Sequence, residues 1–202
     1  AAVEAALTPR TKMIVLESPN SLTLELQDLA AISALARPRG IRTLCDNSYA
    51  SPLLQRPADL GIDLVMHSAT KYLNGHSDVV AGVVCGPAGM IREIFRGPYM
   101  TFGAIIGPFE AWLMLRGLRT LGVRMQRVQQ STAQVIEFLQ RHPKIARVYY
   151  PGSPGDPQRE LAQRQMKGGS GILSIEVAAH DLAGVERFCD SLKMFLLAVS
   201  WG

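Results

Sequence analysis

The run Ser68-Ala69-Thr70-Lys71 places two hydroxyls and one amine within four residues. In an extended segment Ser68 and Thr70 point to the same side, so both hydroxyls can donate hydrogen bonds to one phosphate group. A turn after Thr70 would bring the amine of Lys71 towards a carbonyl carbon of a ligand held by that phosphate. A partly desolvated lysine loses its proton more easily and becomes a nucleophile. For these four residues alone, the alternative is a polar strand end with a solvated lysine.

Asp46 supplies a carboxylate at a second position of the same kind, directly after an apolar run. A carboxylate there can pair with a protonated pyridine nitrogen, and its charge keeps such a ring an effective electron sink for a substrate carbanion. An aspartate before an asparagine also commonly forms a turn or caps a helix. Asp46 and Lys71 together, each after a short apolar strand, predict a site for pyridoxal 5'-phosphate (PLP).

The elements that position these residues are short apolar runs separated by helical or connecting segments. Predicted strands cover Thr11 to Leu16, Ile41 to Cys45, Ile62 to Met66 and Val79 to Cys85, and a helix contains Leu29, Ile32, Leu35 and Ala36. This order indicates a parallel, doubly wound α/β sheet, and the near-continuous apolar runs indicate strands buried on both faces. Ligands of such sheets bind beyond the carboxyl ends of the strands, where residues 17–21, 46–47 and 68–71 fall.

The second half of the chain mixes helical and strand patterns. Helical spacing extends from Pro108 to about His142, with interruptions expected at Gly117 and Gly122. A domain boundary is placed near Gly117 to Thr120, which divides the chain into residues 1–118 and 119–202. Further predicted elements are a loop over Pro151 to Pro157, a strand over Ile172 to Val177, a helix from Leu182 to Leu192 and a strand over Phe195 to Val199.

The composition excludes several classes of protein. The 202 residues are 48% hydrophobic and 19% charged, which is typical of globular proteins. No window approaches the roughly 18 uninterrupted apolar residues of a membrane span, and no signal peptide is visible. The net charge of +4 comes without a dense basic run, so it does not favour nucleic acid. Three separated cysteines and four scattered histidines show no metal-ligand spacing and predict a reduced, cytoplasmic setting.

Longer motifs surround the two chemical residues. Asp46 to Pro52 (DNSYASP) is followed by His67 to Asp78 (HSATKYLNGHSD), and further segments are 116–121 (RGLRTL), 147–152 (RVYYPG) and 198–202 (AVSWG). All of these resemble the Cys/Met-metabolism family of PLP-dependent enzymes, which includes cystathionine β-lyase, cystathionine γ-lyase, cystathionine γ-synthase and methionine γ-lyase. The resemblance extends across essentially the whole chain, and the joint match is highly specific.

The resemblance implies a fold and a cofactor site. The fold is a parallel-sheet PLP-binding large domain, aspartate-aminotransferase-like (fold type I), followed by part of a smaller α+β C-terminal domain. Lys71 is implied to be the catalytic lysine that holds PLP covalently, and Asp46, Ser68 and Thr70 are implied to bind the cofactor with it. His76-Ser77-Asp78 is interpreted as structural, because the members of a catalytic triad converge in space rather than in sequence.

Three further residues, Ser21, Ser200 and Trp201, are expected to contact the substrate. Ser21 stands where γ-acting relatives usually carry asparagine in an Asn-Pro pair, and Ser200-Trp201-Gly202 stands where they usually carry Ser-Leu-Gly. Both features resemble the bacterial cystathionine β-lyase branch. Two alternatives stay open, since Ser21 can cap a turn and Trp201 can be a core aromatic. Glu17 is expected to orient nearby loops, without a role in proton transfer.

The implied reaction is β-elimination of L-cystathionine to homocysteine, pyruvate and ammonia, within methionine biosynthesis and transsulfuration. Lys71 would take the α-proton after the substrate amine displaces it. One alternative is a γ-acting relative, namely cystathionine γ-synthase, cystathionine γ-lyase or methionine γ-lyase. The other is a truncated, silent copy that acts only as an oligomer partner.

Family members are roughly twice as long, so the resemblance implies that the chain is a fragment. It lacks the upstream phosphate loop and the tyrosine that stacks on the cofactor ring, and it stops before the arginine that binds the substrate carboxylate. The parent enzyme is expected to be a cytoplasmic homo-oligomer, a homotetramer built of dimers. It would act on a small amino acid, with no metal, nucleic acid or membrane involved.

Overall fold

Three of the predicted strands form a parallel sheet in the computed structural model, which describes residues 2–198 and 200–201. After helix α1 (Ala2–Ala6) the sheet contains, in chain order, β1 (Met13–Glu17), β2 (Arg42–Asp46), β3 (Leu64–Ser68) and β4 (Gly82–Cys85). Helix α2 (Leu29–Ala36) connects β1 to β2, and α3 (Ser51–Leu54) lies between β2 and β3. This mostly parallel α/β arrangement confirms the predicted fold class.

The direction of β4 corrects the sequence prediction of a fully parallel sheet. β4 is antiparallel to β3, with Ser68 opposite Gly82 and Val65 opposite Cys85. Residues 69–81, all of which the structure describes, join the two strands through turns and contain no helix. A parallel crossover needs a dozen or more residues and usually a helix, so turns in this segment favour an antiparallel return. Val84 in β4 is 39% exposed, so its apolar run does not mark a strand buried on both faces.

The helices that follow the sheet are dominated by one long element. They are α4 (Ala88–Ile94), α5 (Met100–Phe102), α6 (Pro108–Arg141), α7 (Arg159–Gln165) and α8 (Leu182–Asp190), with 3-10 turns at Arg37–Arg39 and Pro57–Leu60 and a π-helical turn at Phe95–Tyr99. A two-stranded antiparallel sheet pairs β5 (Ile145–Tyr149) with β6 (Ser174–Val177). Among the described residues, no helix has both the length and the apolar character that crossing a membrane requires.

Helix α6 is continuous over 34 residues, so the interruptions expected at Gly117 and Gly122 are wrong. A glycine costs only about 1 kcal/mol in a helix, which a well-packed helix of this length absorbs. Gly117 has a packing reason, since a Cβ there would lie 2.2 Å from the carbonyl oxygen of Asn74. Gly122 faces open space, and nothing in the structure explains it.

One apolar core cluster combines residues from both sides of the boundary placed near residue 118. It joins Leu54 and Leu73 of the first part to Leu121, Met125 and Met166 of the second part. Helix α6 also passes through the proposed boundary without a break. The division into residues 1–118 and 119–202 therefore stays a proposal about folding units.

The final apolar run does not form the predicted strand. Residues 195–198 are irregular, and Val199 lies outside the described residues. Phe195, Leu196 and Leu197 are 74%, 93% and 67% exposed. A strand needs a neighbouring strand for its backbone hydrogen bonds, and an apolar run does not supply one. Strand β5, by contrast, carries no sequence prediction and exists because β6 pairs with it.

Candidate functional site

The carboxyl ends of β1, β2 and β3 bring the polar clusters to one edge of the sheet. Glu17 is in register with Asp46, and Asp46 is in register with Met66, two residues before Ser68. Five of the predicted site residues line a single cavity there, which are Ser21, Asp46, Ser68, Lys71 and Trp201. Thr70 and Ser200 line an adjoining cavity that shares Lys71 and Trp201. The structure thus brings the predicted site residues together around two adjoining cavities, formed by distant parts of the chain.

Lys71 lies on a tight turn directly after β3. The amide of Lys71 donates to the carbonyl of Ser68 at 3.0 Å, and the carbonyl of Lys71 accepts from the amide of Gly75 at 2.8 Å. Backbone hydrogen bonds thus hold Lys71 on both sides. The turn that the sequence requires after Thr70 is present, and it sends the lysine side chain into the cavity lined by Asp46.

The hydroxyl of Thr70 is occupied by the backbone of Ala81. Its Oγ1 accepts from the amide of Ala81 at 2.9 Å and lies 3.2 Å from the carbonyl of Ala81, to which it donates. Ser68 lines the other cavity, so the two hydroxyls do not face one common space in this conformation. A phosphate bound by both would need the Thr70 proton to move from the Ala81 carbonyl to the phosphate, while the contact with the Ala81 amide is kept.

The amine of Lys71 meets residues from the end of the chain. Its Nζ donates a hydrogen bond to Oγ of Ser200 and lies 5.4 Å from the ring centroid of Trp201. The Trp201 ring also packs against Tyr72, with ring centroids 5.0 Å apart. Trp201 therefore borders the site rather than filling the interior of the core. A cation within about 6 Å of an aromatic ring is attracted to its face.

Asp46 combines the two roles that its sequence context allows. Its Oδ1 accepts from the amide of Ser48 at 2.8 Å, which is the local turn expected of an aspartate in this position. Its carboxylate also lines the cavity that contains Lys71. Next to it, His67 is buried, and this burial lowers the pKa of its imidazole, although Asp46 and the Asn47 backbone act in the opposite direction.

The Asn20 loop, residues 17–27, is closed by Asn20 rather than by Ser21. Oδ1 of Asn20 accepts from the amides of Leu22, Thr23 and Leu24 at 3.1, 2.9 and 3.0 Å. Ser21 instead donates its hydroxyl to the carboxylate of Glu17. Asn20, and not Ser21, therefore caps this turn. Ser21 and Glu17 both line the cavity.

Ile172 is a cavity residue that the sequence does not single out. Three tyrosine hydroxyls bind the backbone around it: Tyr49 OH donates to Ile172 O at 3.2 Å, Tyr150 OH donates to Ser170 O at 3.0 Å, and Gly171 N donates to Tyr72 OH at 2.8 Å. Burial raises the pKa of Tyr49 and Tyr72, and it raises that of Tyr150 to about 12. The phenols are therefore neutral hydrogen-bonding groups that hold Ile172 at the cavity.

A buried amide cluster, made of Ser18, Asn47, Gln55 and Gln165, lies beneath the Asn20 loop. Gln165 Nε2 donates to Ser18 Oγ and Gln55 Oε1, both at 3.1 Å, while its Oε1 accepts from the amide of Leu29 at 3.0 Å. Gln55 Nε2 donates to Ser18 O at 2.6 Å and to Asn47 Oδ1 at 2.9 Å. Because buried polar groups are costly unless bonded, this cluster fixes helix α7 against the base of the loop.

The His76-Ser77-Asp78 segment has structural contacts. The carboxylate of Asp78 accepts from Nδ2 of Asn74 at 2.8 Å and from Nη2 of Arg116 at 2.5 Å. These hydrogen bonds lower the pKa of Asp78, and the bond from Asn74 has the largest effect. Nδ1 of His76 lies 2.7 Å from the carbonyl of Asn74. The carboxylate therefore pairs with an arginine on α6, as the structural interpretation expects.

Comparison with known sequences decides the family. A sequence model of the Cys/Met metabolism PLP-dependent enzymes matches residues 1–202. The chain belongs to this family. PLP is the cofactor of the Cys/Met metabolism enzymes, and the cavity suits it, because an amine (Lys71), a carboxylate (Asp46) and a hydroxyl (Ser68) converge on one space. Within the described residues, no group of His, Cys, Asp and Glu is arranged to hold a metal ion.

Relatives within the Cys/Met metabolism family include both β- and γ-acting enzymes. Cystathionine beta-lyase of Coxiella burnetii is 42% identical over 201 residues, covering 99% of this chain and 52% of the relative. Cystathionine gamma-synthase of Mycobacterium tuberculosis is 44% identical over 201 residues, covering 100% of this chain and 52% of the relative. The structure of cystathionine gamma-lyase from Lactobacillus plantarum complexed with L-serine matches with a TM-score of 0.91 and 40% identity, over 98% of this chain and 52% of that chain. The chain thus spans about half the length of these relatives.

Proposed function

We propose that the complete protein, meaning the longest natural chain that contains these residues, is a carbon–sulfur lyase acting on L-cystathionine. It carries out β-elimination and releases homocysteine, pyruvate and ammonia. The observation that carries this proposal is the convergence of Lys71, Asp46, Ser21 and Trp201 on one cavity at the carboxyl ends of the parallel strands. Membership of the Cys/Met metabolism family supports the chemistry in general, and Ser21 and Trp201 support the β-lyase reaction in particular.

Bound PLP supplies an electron sink for the pair of electrons left when the substrate α-proton departs. Asp46 holds the protonated ring nitrogen, which keeps that sink electron-poor. The Lys71 amine accepts the α-proton, and Ser200 Oγ keeps that amine at the mouth of the two cavities by accepting its hydrogen bond. Ser68 would donate its hydroxyl to the phosphate, and Thr70 would do so once its proton turns away from the Ala81 carbonyl.

Ser21 and Trp201 support β-elimination through their identity and their place. Ser21 is small and its hydroxyl is bound to Glu17, so it leaves more room beside Asp46 than the asparagine usual in γ-acting relatives. Trp201 places an aromatic wall 5.4 Å from the Lys71 amine, where those relatives usually have leucine. A wider aromatic wall restricts the positions that the amine can reach around the substrate, which favours a reaction completed after one proton transfer from carbon.

A γ-acting enzyme is the second candidate. Relatives named cystathionine gamma-synthase and cystathionine beta-lyase share nearly the same sequence identity with this chain, at 44% and 42%. The keto acid separates the two candidates. Homocysteine release from the β-carbon yields pyruvate, whereas γ-elimination yields 2-oxobutyrate. The complete protein, loaded with PLP and given L-cystathionine, should therefore produce pyruvate as the dominant keto acid by chromatography or NMR.

Matched variants sharpen that assay. Lys71→Ala should abolish turnover and the absorbance of the covalent PLP–lysine linkage, and borohydride reduction should label Lys71 in the unsubstituted protein. Ser21→Asn and Trp201→Leu, singly and together, should raise the proportion of 2-oxobutyrate. Dominant 2-oxobutyrate from the unsubstituted protein would overturn the β-lyase proposal, and PLP binding without any keto acid would favour a silent copy.

A cytoplasmic homotetramer is the proposed state of the complete protein. Three free cysteines suit a reducing compartment. Phe109, Trp112 and Leu115 on α6 are 65%, 59% and 61% exposed, and apolar surface of this kind supports association. Light scattering coupled to size-exclusion chromatography measures the mass directly, and a monomer would contradict the proposed assembly.

A further inference from the structure

We propose that Arg124 is a positioning residue for Lys71, because its guanidinium fixes the turn that carries the catalytic lysine. The inference rests on the proposed function only in assuming that Lys71 receives the substrate α-proton. Arg124 lies on α6, in the part of the chain assigned to residues 119–202, whereas Lys71 follows β3 in the first part. Sequence motifs that end at Leu121 give no reason to select it.

The guanidinium of Arg124 joins the lysine turn to helix α6. Nη1 donates to the carbonyl of Tyr72, the residue after Lys71, at 2.8 Å. Nη2 donates to the carbonyl of Gly117 at 2.9 Å, and Nε donates to Oγ1 of Thr120 at 3.0 Å. Each of the three guanidinium nitrogens therefore makes one hydrogen bond, and together they hold a turn and a helix at a set distance. A lysine at this position has a single amine and cannot reproduce the planar fork.

Two glycines allow the turn and the helix to approach this closely. A Cβ on Gly75 would lie 1.9 Å from Nη1 of Arg124, and a Cβ on Gly117 would lie 2.2 Å from the carbonyl oxygen of Asn74. Gly75 also has a φ of 67°, in the left-handed region that favours glycine. Gly75 therefore leaves the space that the guanidinium occupies, and Gly117 lets the turn lie against α6.

Arg124 does not serve as an ion-pair partner. The ion pairs found among the described residues involve other arginines, including Arg116 with Asp78, and none of them includes Arg124. Its half-buried guanidinium binds neutral oxygens instead. The contribution of Arg124 is therefore the geometry of its donors, and their target is the backbone beside the catalytic lysine.

The position of this backbone matters because proton transfer is sensitive to distance. A base must come within about 2.6–3.2 Å of the atom it deprotonates, and a misplacement of about 1 Å can cost on the order of 100-fold in rate. Within the turn itself, backbone hydrogen bonds run from Gly75 to Lys71 and from Asn74 to Ala69. The bond from Arg124 to the Tyr72 carbonyl comes from outside the turn and fixes its backbone relative to α6, on which no residue lines either cavity of the candidate site.

The test uses the complete protein with Arg124→Met, Arg124→Lys and the control Arg127→Met, whose site is exposed on the same helix. The first measurement is amide hydrogen exchange without PLP over residues 71–75. Arg124→Met should speed exchange of the Asn74 and Gly75 amides about tenfold, because the backbone of the turn loses its hydrogen bond to α6. Arg127→Met should leave that exchange unchanged.

The second measurement is α-proton removal in the PLP-loaded protein, with L-cystathionine deuterated at the α-carbon. Arg124→Met should lower kcat about tenfold to a hundredfold, change KM less than about threefold and raise the deuterium isotope effect on kcat, since the proton transfer becomes slower. The kcat of Arg124→Lys should lie between that of Arg124→Met and that of the unsubstituted protein. Should Arg124→Met fail to fold, Arg124→Lys alone decides the outcome.

Unchanged exchange in the turn, or a loosened turn with a normal rate of α-proton removal per bound PLP, would overturn the role of Arg124. Failure of the proposed function looks different, because the unsubstituted protein would then give no pyruvate. In that case the exchange of the α-proton of L-methionine with deuterium oxide, followed by NMR, still measures the proton transfer to Lys71. The same comparison of variants then supports or refutes the positioning role.

Discussion

Replacing Gln165 by leucine removes three hydrogen bonds from the buried amide cluster while keeping a similar side-chain volume. The amide of Leu29 loses its acceptor, which is Oε1 of Gln165 at 3.0 Å, and Ser18 and Gln55 lose a donor. Leu29 is the first residue of α2 and is fully buried, at 0% exposure. A first-turn amide has no acceptor within its own helix, so a side chain must supply one.

The magnitude follows from the desolvation of that amide. A buried donor left without a partner costs about 1–3 kcal/mol. Since about 1.4 kcal/mol corresponds to a tenfold change in an equilibrium, local opening at Leu29 should become roughly 5- to 140-fold more frequent. Amide hydrogen exchange at Leu29, measured by NMR or by fragmentation mass spectrometry, reports this opening without any need for catalysis.

Two comparisons make the test specific. Gln163→Leu changes an exposed glutamine of the same helix, and a surface change of this kind typically alters stability by less than about 0.5 kcal/mol. Exchange at Leu29 should therefore stay within about twofold in that variant. If Gln165→Leu left the exchange of Leu29 as slow as in the unsubstituted protein, the amide cluster would not be what secures α7 beneath the Asn20 loop.

Three further predictions concern charge, pH and thiol reactivity. Asp46→Asn should lower kcat by a factor on the order of 10³, because loss of a close charged pair costs about 2–5 kcal/mol, and a loss below about tenfold would exclude the pairing with PLP. Burial lowers the pKa of His67 below 6.5, so as the pH falls below 6.5 the unfolded chain takes up a proton first and the free energy of unfolding decreases. His67→Gln should remove that decrease in denaturant titrations between pH 8 and 5, whereas the exposed His180→Gln should preserve it. Because burial raises the pKa of Cys45 to about 12, maleimide should label the exposed Cys85 in the folded protein and leave Cys45 unlabelled, as peptide mass spectrometry can verify.

The parts of the fold that the sequence predicts are those with local causes. Strands β1, β2 and β3 are short apolar runs, and the residues that end them form turns, so pattern and propensity agree. The direction of β4 follows from the turns of residues 69–81, which the apolar pattern does not reveal, and the continuity of α6 is supported by packing against distant residues. From the sequence alone Gly117 predicts a helix interruption, whereas in the fold it allows close packing against Asn74. Residues 195–198 have the apolar pattern of a strand, but no strand among the described residues pairs with them.

The candidate site divides in the same way. Asp46 and Lys71 can be selected because each combines a reactive side chain with a strand end. Ser200 and Trp201 carry no such local signal, and only a resemblance to relatives selects them, since they reach Lys71 across 129 positions of sequence. Ile172, Gln165 and Arg124 are missed altogether, because their roles depend on backbone groups that become neighbours only in the folded chain.

The uninterrupted course of α6 constrains how this chain can change in length. At about 1.5 Å per residue a helix of 34 residues is about 50 Å long, and one inserted residue turns everything beyond it by about 100°. An insertion between Gly117 and Arg124 would leave the glycine facing Asn74 but turn the guanidinium away from Tyr72. Substitutions in this part of α6 keep the helix in phase, whereas insertions and deletions change the direction of every side chain beyond them. The loop at residues 151–157 has no such helical phase to keep, so variation in length belongs there instead.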